Sequence, residues 1–284
     1  MSLSLAQLES RIQELAAWPA GESLPADAEA VVAQLIDGLE LGDIRSARRD
    51  DNNVWHAVPW VKRGILLAFR AGHTVAWTDE GSTLTFLDKH TLPVRRFGLA
   101  DGVRVVPGGS SVRRGAYVAP NVVCMPPMYI NVGAWVGRGT MVDSHALVGS
   151  CAQIGERVHL SAAAQIGGVL EPVNAAPVIV EDDVIVGGNC GVYEGTVVRQ
   201  RAVLAAGTIL TRGTAVFDLV QERVYRGTAE SPLEIPAGAV VVPGARQVAS
   251  GWGAERHLSL QTPVIVKYRD DKTDLSTALE TWLR

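Results

Sequence analysis

The stretch Met141–Leu160, MVDSHALVGSCAQIGERVHL, decides how this chain is read. Its aliphatics lack the spacing of an amphipathic helix, and they are too sparse for the strict alternation of a half-buried strand. They return at every sixth residue instead, as Val142, Val148, Ile154 and Leu160. The slot after each holds a small residue at Gly149, Gly155 and Ser161, but a carboxylate at Asp143.

Counting outward keeps the register. Val106, Val112, Val118, Cys124, Ile130 and Val136 precede the stretch, and Ile166 follows it. Four residues after these positions come small or apolar residues such as Ala116, Val122, Ala134, Ala146, Ala152 and Ala164. The phase breaks at GGVLEPVNAAP, resumes at Val180, Val186, Val192, Val198, Leu204, Leu210 and Val216, and returns at Ile235 and Val241. A six-residue repeat is the signature of a β-helix solenoid. Each hexad is a short strand and a corner, and three hexads close one triangular coil with the aliphatics inside. At roughly 4.8 Å per coil, about six or seven coils make a prism on the order of 30 Å long.

The flanks follow other rules. In SLAQLESRIQELAAW, Leu5, Leu8, Ile12 and Leu15 share a helical face, with Ser4 and Gln7 placed as a capping box. Val32, Leu35, Ile36 and Leu39 form a second apolar stripe, ended by Gly42. VWHAVPWVKRGILLAFR reads as a short strand and then a helix with Pro59 in its first turn. The expected organisation is an N-terminal helical or mixed domain over 1–100 and a solenoid over 101–247. Loop insertions are expected at 167–177 and 217–234, and a C-terminal strand (TPVIVKY) and helix (LSTALETWLR) over 248–284. Insertions in a solenoid project from one face and commonly build its binding site.

Bulk properties remove several function classes. The formal net charge is −4, and acids and bases are mixed along the chain. No basic block points to nucleic acid or to an anionic membrane. No apolar run reaches membrane-spanning length, and the N-terminus is amphipathic and charged rather than a secretory signal. Cys124, Cys151 and Cys190 form an odd, widely spaced set without CxxC, so no disulfide framework is expected. These features fit a reducing, cytoplasmic setting.

Several segments resemble the tetrahydrodipicolinate N-succinyltransferase family. They are VPGGSSVRRGAYVAPNVVCMPPMYINVGAW, GTMVDSHALVGSCAQIGERVHLS and QIGGVLEP, together with the W-HAVP-W-VK-RGI pattern and, near the end, IPAGAVVVPG followed by TPVIVK. The resemblance covers most of the chain. It implies a mainly β fold, a homotrimer of left-handed parallel β-helices, and active sites in the grooves between subunits. It implies transfer of an acyl group, from succinyl-CoA or acetyl-CoA as co-substrate, to the amine of ring-opened tetrahydrodipicolinate. No permanently bound cofactor or metal is expected. The chain departs from the family pattern in three places. GARSEVVEG has become GGNCGVYEG, which puts Gly191 at a family carboxylate and Asn189 at an arginine. VDEG has become VGRG at Gly137 and Arg138, and MVDTW has become MVDSH at Ser144 and His145.

Thioester-to-amine transfer needs a neutral amine, donors for the oxyanion and alignment of both substrates. It needs no protein nucleophile, and the sequence shows no Ser-His-Asp or Cys-His signature. Asp143 is the candidate that holds the substrate ammonium and takes its proton; the alternative is a surface carboxylate capping a turn. By the family match, Arg104 binds a substrate carboxylate, for which a planar guanidinium is suited. Glu171, on the first loop, is a candidate for positioning substrate or loop; Glu194 could compensate for Gly191, but a corner-facing hydrogen bond to backbone is the favoured reading. His145 is a candidate base specific to this chain, weighed against a polar groove contact, while His159 reads as stacking or hydrogen bonding. The cysteines read as packing residues. Arg138, Arg212, Arg246 and Lys267 are candidates for the phosphates of the CoA, Arg138 also for an acyl carboxylate.

Three other readings compete with this one: an N-acetyltransferase of the same pathway, a γ-type carbonic anhydrase and a non-catalytic scaffold. The carbonic anhydrase needs three zinc-binding histidines, and the solenoid has only His145 and His159.

Overall fold

A computed structural model describes residues 2–78, 85–228 and 231–270. The hexads close into a prism. Each contributes a two-residue strand, and strands three hexads apart pair in parallel, as Met141–Val142 does with Val123–Cys124 below and His159–Leu160 above. Three sheets result. Face I carries the outward row Arg104, Val123, Met141, His159, Ile185, Val203 and Val240. Face II carries Ser111, Tyr129, Leu147, Gln165, Gly191 and Ile209. Face III carries Tyr117, Trp135, Gln153, Ile179, Val197 and Glu234.

The second residue of each strand points inward. Ile130, Val136, Val142, Val148, Leu160, Ile166 and Val192 are fully buried in one continuous core. Corners turn through a left-handed backbone residue at the same hexad position, including Gly115, Gly133, Gly139, His145, Cys151, Arg157 and Ala163. At Gly133, His145, Cys151, Arg157 and Ala163 that N–H reaches a carbonyl of the coil below, for example His145 to Pro127 and Cys151 to Val132, whereas Gly115 donates to Glu40 Oε2 of the helical domain. The corner therefore asks for a positive φ at one residue rather than for small residues throughout, which is how His145 and Arg157 are accommodated.

The register corrects the reading of the first coil. Val105, not Val106, pairs opposite Cys124, and Val105 is exposed at the open end of the prism. One extra residue enters before Val112, where the open end imposes no inward position.

The N-terminal part packs α1 (Leu5–Ala16), α2 (Ala28–Leu41) and α3 (Pro59–Ala71) around Leu8, Ile12, Leu35, Ile36 and Ile65. Ser4 and Gln7 form the capping box on α1, Gly42 closes α2 in the left-handed conformation, and Pro59 opens α3. Val132 and Cys151, both on prism corners, belong to this second core, so the helices are sealed against the solenoid. A strand pair, Ala47–Arg49 with Trp55–Ala57, lies over face III, where Ala47 and Trp55 meet Ile179 and Val197.

Segment 167–177 runs without regular structure between two coils. Segment 217–234 is more ordered than an insertion loop need be. Val216–Asp218 pairs antiparallel with Arg223–Tyr225, and Phe217 lies beside Val264. Ala239–Gln247 and Ser259–Tyr268 form a long hairpin that extends face I. Between them lies a short helix, Gly251–Glu255, that the sequence reading did not anticipate. The helix expected over 275–284 lies outside the described residues. No helix among the described residues is long and apolar enough to cross a membrane.

Candidate active site

Asp143 opens the corner between faces I and II. Its backbone is tied into the stack, donating to Leu160 O at 2.9 Å and accepting from Ala146 N at 3.1 Å. Its Oδ1 accepts the Ser144 N–H at 2.6 Å. That bond is the turn-capping role weighed against catalysis, and it engages one oxygen only. Oδ2 has no hydrogen-bond partner among the described residues, and it sits on a half-buried edge where a substrate ammonium can reach it.

His145, at the same corner, has φ 62° and an exposed side chain. Its backbone does the structural work, accepting from Gln165 Nε2 at 3.2 Å and donating to Pro127 O at 2.6 Å. No hydrogen bond joins its ring to Asp143 among the described residues. Arg104 is exposed on face I, two strand steps below Met141, a separation of roughly 10 Å. It therefore shares a face with the Asp143 corner. His159 stands one coil above Met141 on that same face.

Glu171, Glu194 and Arg212 meet in a second place. They line a cavity of about 500 Å³ beside the loop, together with Gly167, Gly168, Tyr193 and Thr211. Glu194 accepts the Arg212 N–H at 3.0 Å. Glu194 thus makes the corner-facing hydrogen bond to backbone favoured from the sequence. The space over Gly191 is taken by a residue that the sequence reading passed over. A Cβ on Gly191 would lie 2.4 Å from Tyr193 Cε2 and 2.9 Å from its hydroxyl oxygen, and one on Gly167 would lie 2.8 Å from its Cδ1. The tyrosine ring therefore lies back over two glycines on adjacent coils. Two glycines in outward positions flanking an aromatic residue were the available signal.

The loop is held from the helical domain. Leu170 packs against the helical core, Val169 N–H donates to Ser150 O at 3.1 Å, and Lys62 Nζ donates to Ala175 O at 2.5 Å. Lys62 is fully buried, and desolvation lowers its pKa, with the neighbouring Cys151 opposing. In the window between that lowered value and about 10.4, the unfolded chain binds more protons than the folded one. Stability therefore gains with rising pH from this group, whereas the raised thiol pKa values act in the opposite sense. Lys62→Met is expected to cancel the lysine contribution. Urea titrations at about pH 8 and about pH 10 should show the variant losing ground to the parent as pH rises, and an unchanged difference would refute the assignment.

The four cations expected to meet CoA phosphates do not gather in one protomer. Arg138 lines a separate cavity of about 330 Å³ on face III, with Trp135, Tyr117 and Arg45. There Arg45 stacks 4.1 Å over Trp135 and donates to Gln153 at 2.6 Å; burial brings its pKa down to about 10. Arg212 is at the loop cavity. Arg246 is exposed on the long hairpin, and Lys267 faces Asp270 at 3.3 Å. Burial pushes the Cys124 thiol up to about 12 and Cys151 up to about 11, which leaves both as packing groups. Among the described residues, the one grouping with metal-ligand spacing is Glu29, His73 and His90 on the helical domain, apart from His145 and His159.

Comparison with known proteins places this geometry. A family profile described as the N-terminal domain of tetrahydrodipicolinate N-succinyltransferase matches residues 7–71, and one described as the hexapeptide repeat of succinyl-transferase matches residues 177–212. The 2,3,4,5-tetrahydropyridine-2,6-dicarboxylate N-succinyltransferase of Polynucleobacter asymbioticus is 41% identical over 267 residues, covering 93% of this chain and 92% of its own. The chain belongs to the tetrahydrodipicolinate N-succinyltransferase family. A relative of the same name from Rhodopseudomonas palustris is 37% identical over 99% of this chain and 100% of its own. A crystal structure from Campylobacter jejuni, described as a candidate 2,3,4,5-tetrahydropyridine-2-carboxylate N-succinyltransferase, superposes with a TM-score of 0.50. It is 18% identical and covers 83% of this chain and 62% of its own, a likeness of fold. Within the tetrahydrodipicolinate N-succinyltransferase family, this chain is a member whose loop cavity is roofed by Tyr193.

Proposed function

We propose that the chain transfers a succinyl group from succinyl-CoA to the amine of ring-opened tetrahydrodipicolinate, a step of lysine and diaminopimelate biosynthesis. Near-full-length identity to relatives named for this reaction supports the assignment. The observation that carries the mechanism is the single engaged oxygen of Asp143 on an accessible corner. Oδ2 holds the substrate ammonium and accepts one proton, and the neutral amine then attacks the thioester carbon. The C–N bond forms, the carbonyl oxygen becomes an oxyanion, and collapse expels the CoA sulfur. The ammonium of the tetrahedral intermediate passes its second proton to the departing thiolate, which leaves as the thiol, and Asp143 returns its proton to solvent.

Arg104 binds a carboxylate of the amine substrate on the same face. Within one protomer, faces I and II meet at the Asp143 corner while Glu171 and Arg212 lie across face II. A homotrimer with its sites in the grooves between subunits brings such edges together, and that assembly is part of the proposal, as is a cytoplasmic location. Arg212 is the cation placed to meet the acyl-CoA at the loop cavity.

Thiol release measured with tetrahydrodipicolinate, comparing succinyl-CoA with acetyl-CoA, tests the reading. Faster turnover with succinyl-CoA is the expected result. Turnover with acetyl-CoA alone would assign the chain to acetyl transfer, and silence with both would reject acyl transfer.

A further inference from the structure

Transfer through an oxyanion requires a hydrogen-bond donor that the protein has not already spent. Face II offers few. The Tyr129 hydroxyl donates to Asn131 Oδ1 at 3.3 Å. The Gln165 amide donates to the carbonyls of His145 at 3.2 Å and Ala163 at 3.3 Å. Leu147 and Ile209 have no donor, Gly191 has no side chain, and the Ser111 hydroxyl, four strand steps below Gly191, lines a separate cavity with Trp77 and Phe86. Tyr193 is different. Its backbone is engaged, with its N–H donating to Leu210 O and its carbonyl accepting from Thr196, yet its hydroxyl has no partner among the described residues. The ring is half-buried, and the close approach at Gly191 and Gly167 fixes where the hydroxyl points.

We propose that the Tyr193 hydroxyl is a catalytic donor to the acyl carbonyl oxygen, standing where a Gly191 side chain would otherwise project. The inference rests on the proposed acyl transfer at the groove. As the amine nitrogen bonds to the thioester carbon, the carbonyl π electrons move onto oxygen and the phenolic O–H hydrogen-bonds to that oxyanion. The hydroxyl keeps its proton throughout. When the C–S bond breaks, the electrons return to re-form the carbonyl, and the hydrogen bond weakens. Gly191 and Tyr193 are then a matched pair. Any larger residue at 191 pushes the ring off its bed, and removing the hydroxyl leaves the bed intact but empties it of its donor.

Two variants and their combination test this, assayed beside the unsubstituted protein with succinyl-CoA and with acetyl-CoA. Tyr193→Phe is expected to lower kcat roughly 100-fold, with both KM values and the melting temperature nearly unchanged. Gly191→Ala should displace the ring and bring a similar loss. The double variant should be no worse than Tyr193→Phe alone, because both changes remove one interaction. A kcat for Tyr193→Phe within about threefold of the parent would overturn the proposal. So would a loss expressed only in KM, which marks ground-state binding, or fully additive losses in the double variant. Silence of the unsubstituted protein with both donors would overturn the function first, and this role with it.

Discussion

Asp143→Asn is expected to reduce turnover by roughly 10³-fold while leaving the fold and the melting temperature in place. The choice of asparagine matters because Asp143 does two things. Its Oδ1 caps the Ser144 N–H at 2.6 Å, and an amide oxygen can do the same. What an amide cannot do is accept the ammonium proton, so the variant separates the cap from the base. Asp143→Ala should match that kinetic loss and add a destabilisation of about 1 kcal/mol from the missing cap bond. Steady-state kinetics and urea titration of both variants check this. Equal activity of the asparagine variant and the parent would return Asp143 to a corner brace. His145→Ala, one residue beyond Ser144, is expected to lower activity less than about tenfold, because no hydrogen bond joins its ring to Asp143 among the described residues.

Ile154→Ala should produce the largest loss of stability, about 2–5 kcal/mol. Ile154 is fully buried and stacks between Val136 and Val180 on face III. Each neighbour is fixed by its own coil, so the walls cannot close on the void. Repeat architectures are held together by interfaces between adjacent units, and this one sits beside the break at 167–177. Weakening it should therefore also loosen the loop that carries Glu171. A drop of less than about 1 kcal/mol by urea unfolding would mean that the prism relaxes more freely than its stacked backbone implies.

The prism was legible because its periodicity is local. Every hexad repeats one strand and one corner, so Val142, Val148, Ile154 and Leu160 announce the inward column without knowledge of any distant contact. Asp143 stood out within its own stretch, as a charge where Gly149, Gly155 and Ser161 fill the same slot. The helices were legible from their caps, Ser4 with Gln7 and Gly42. The register slip at Val105 was not, because the open end has no coil beneath it to enforce the phase. The ordered pairing of Val216–Asp218 with Arg223–Tyr225 was missed because Val216–Asp218 is also paired to the late segment Ser259–Tyr268, more than forty residues on.

The sequence by itself therefore determined the solenoid, its interruptions and the family, since each is written in short-range repetition or in contiguous motifs. Tertiary structure alone decided which polar groups share a place. Lys62 and Ala175 meet across 113 residues. Arg138 and Arg212 part to different cavities although both follow the same repeat. Tyr193 lies over a glycine on its own coil and another a coil below. Position along a hexad fixes whether a side chain points in or out, but an outward side chain is free to swing. What it touches depends on the adjacent coil, the loop and the helical domain, which the six-residue period does not encode.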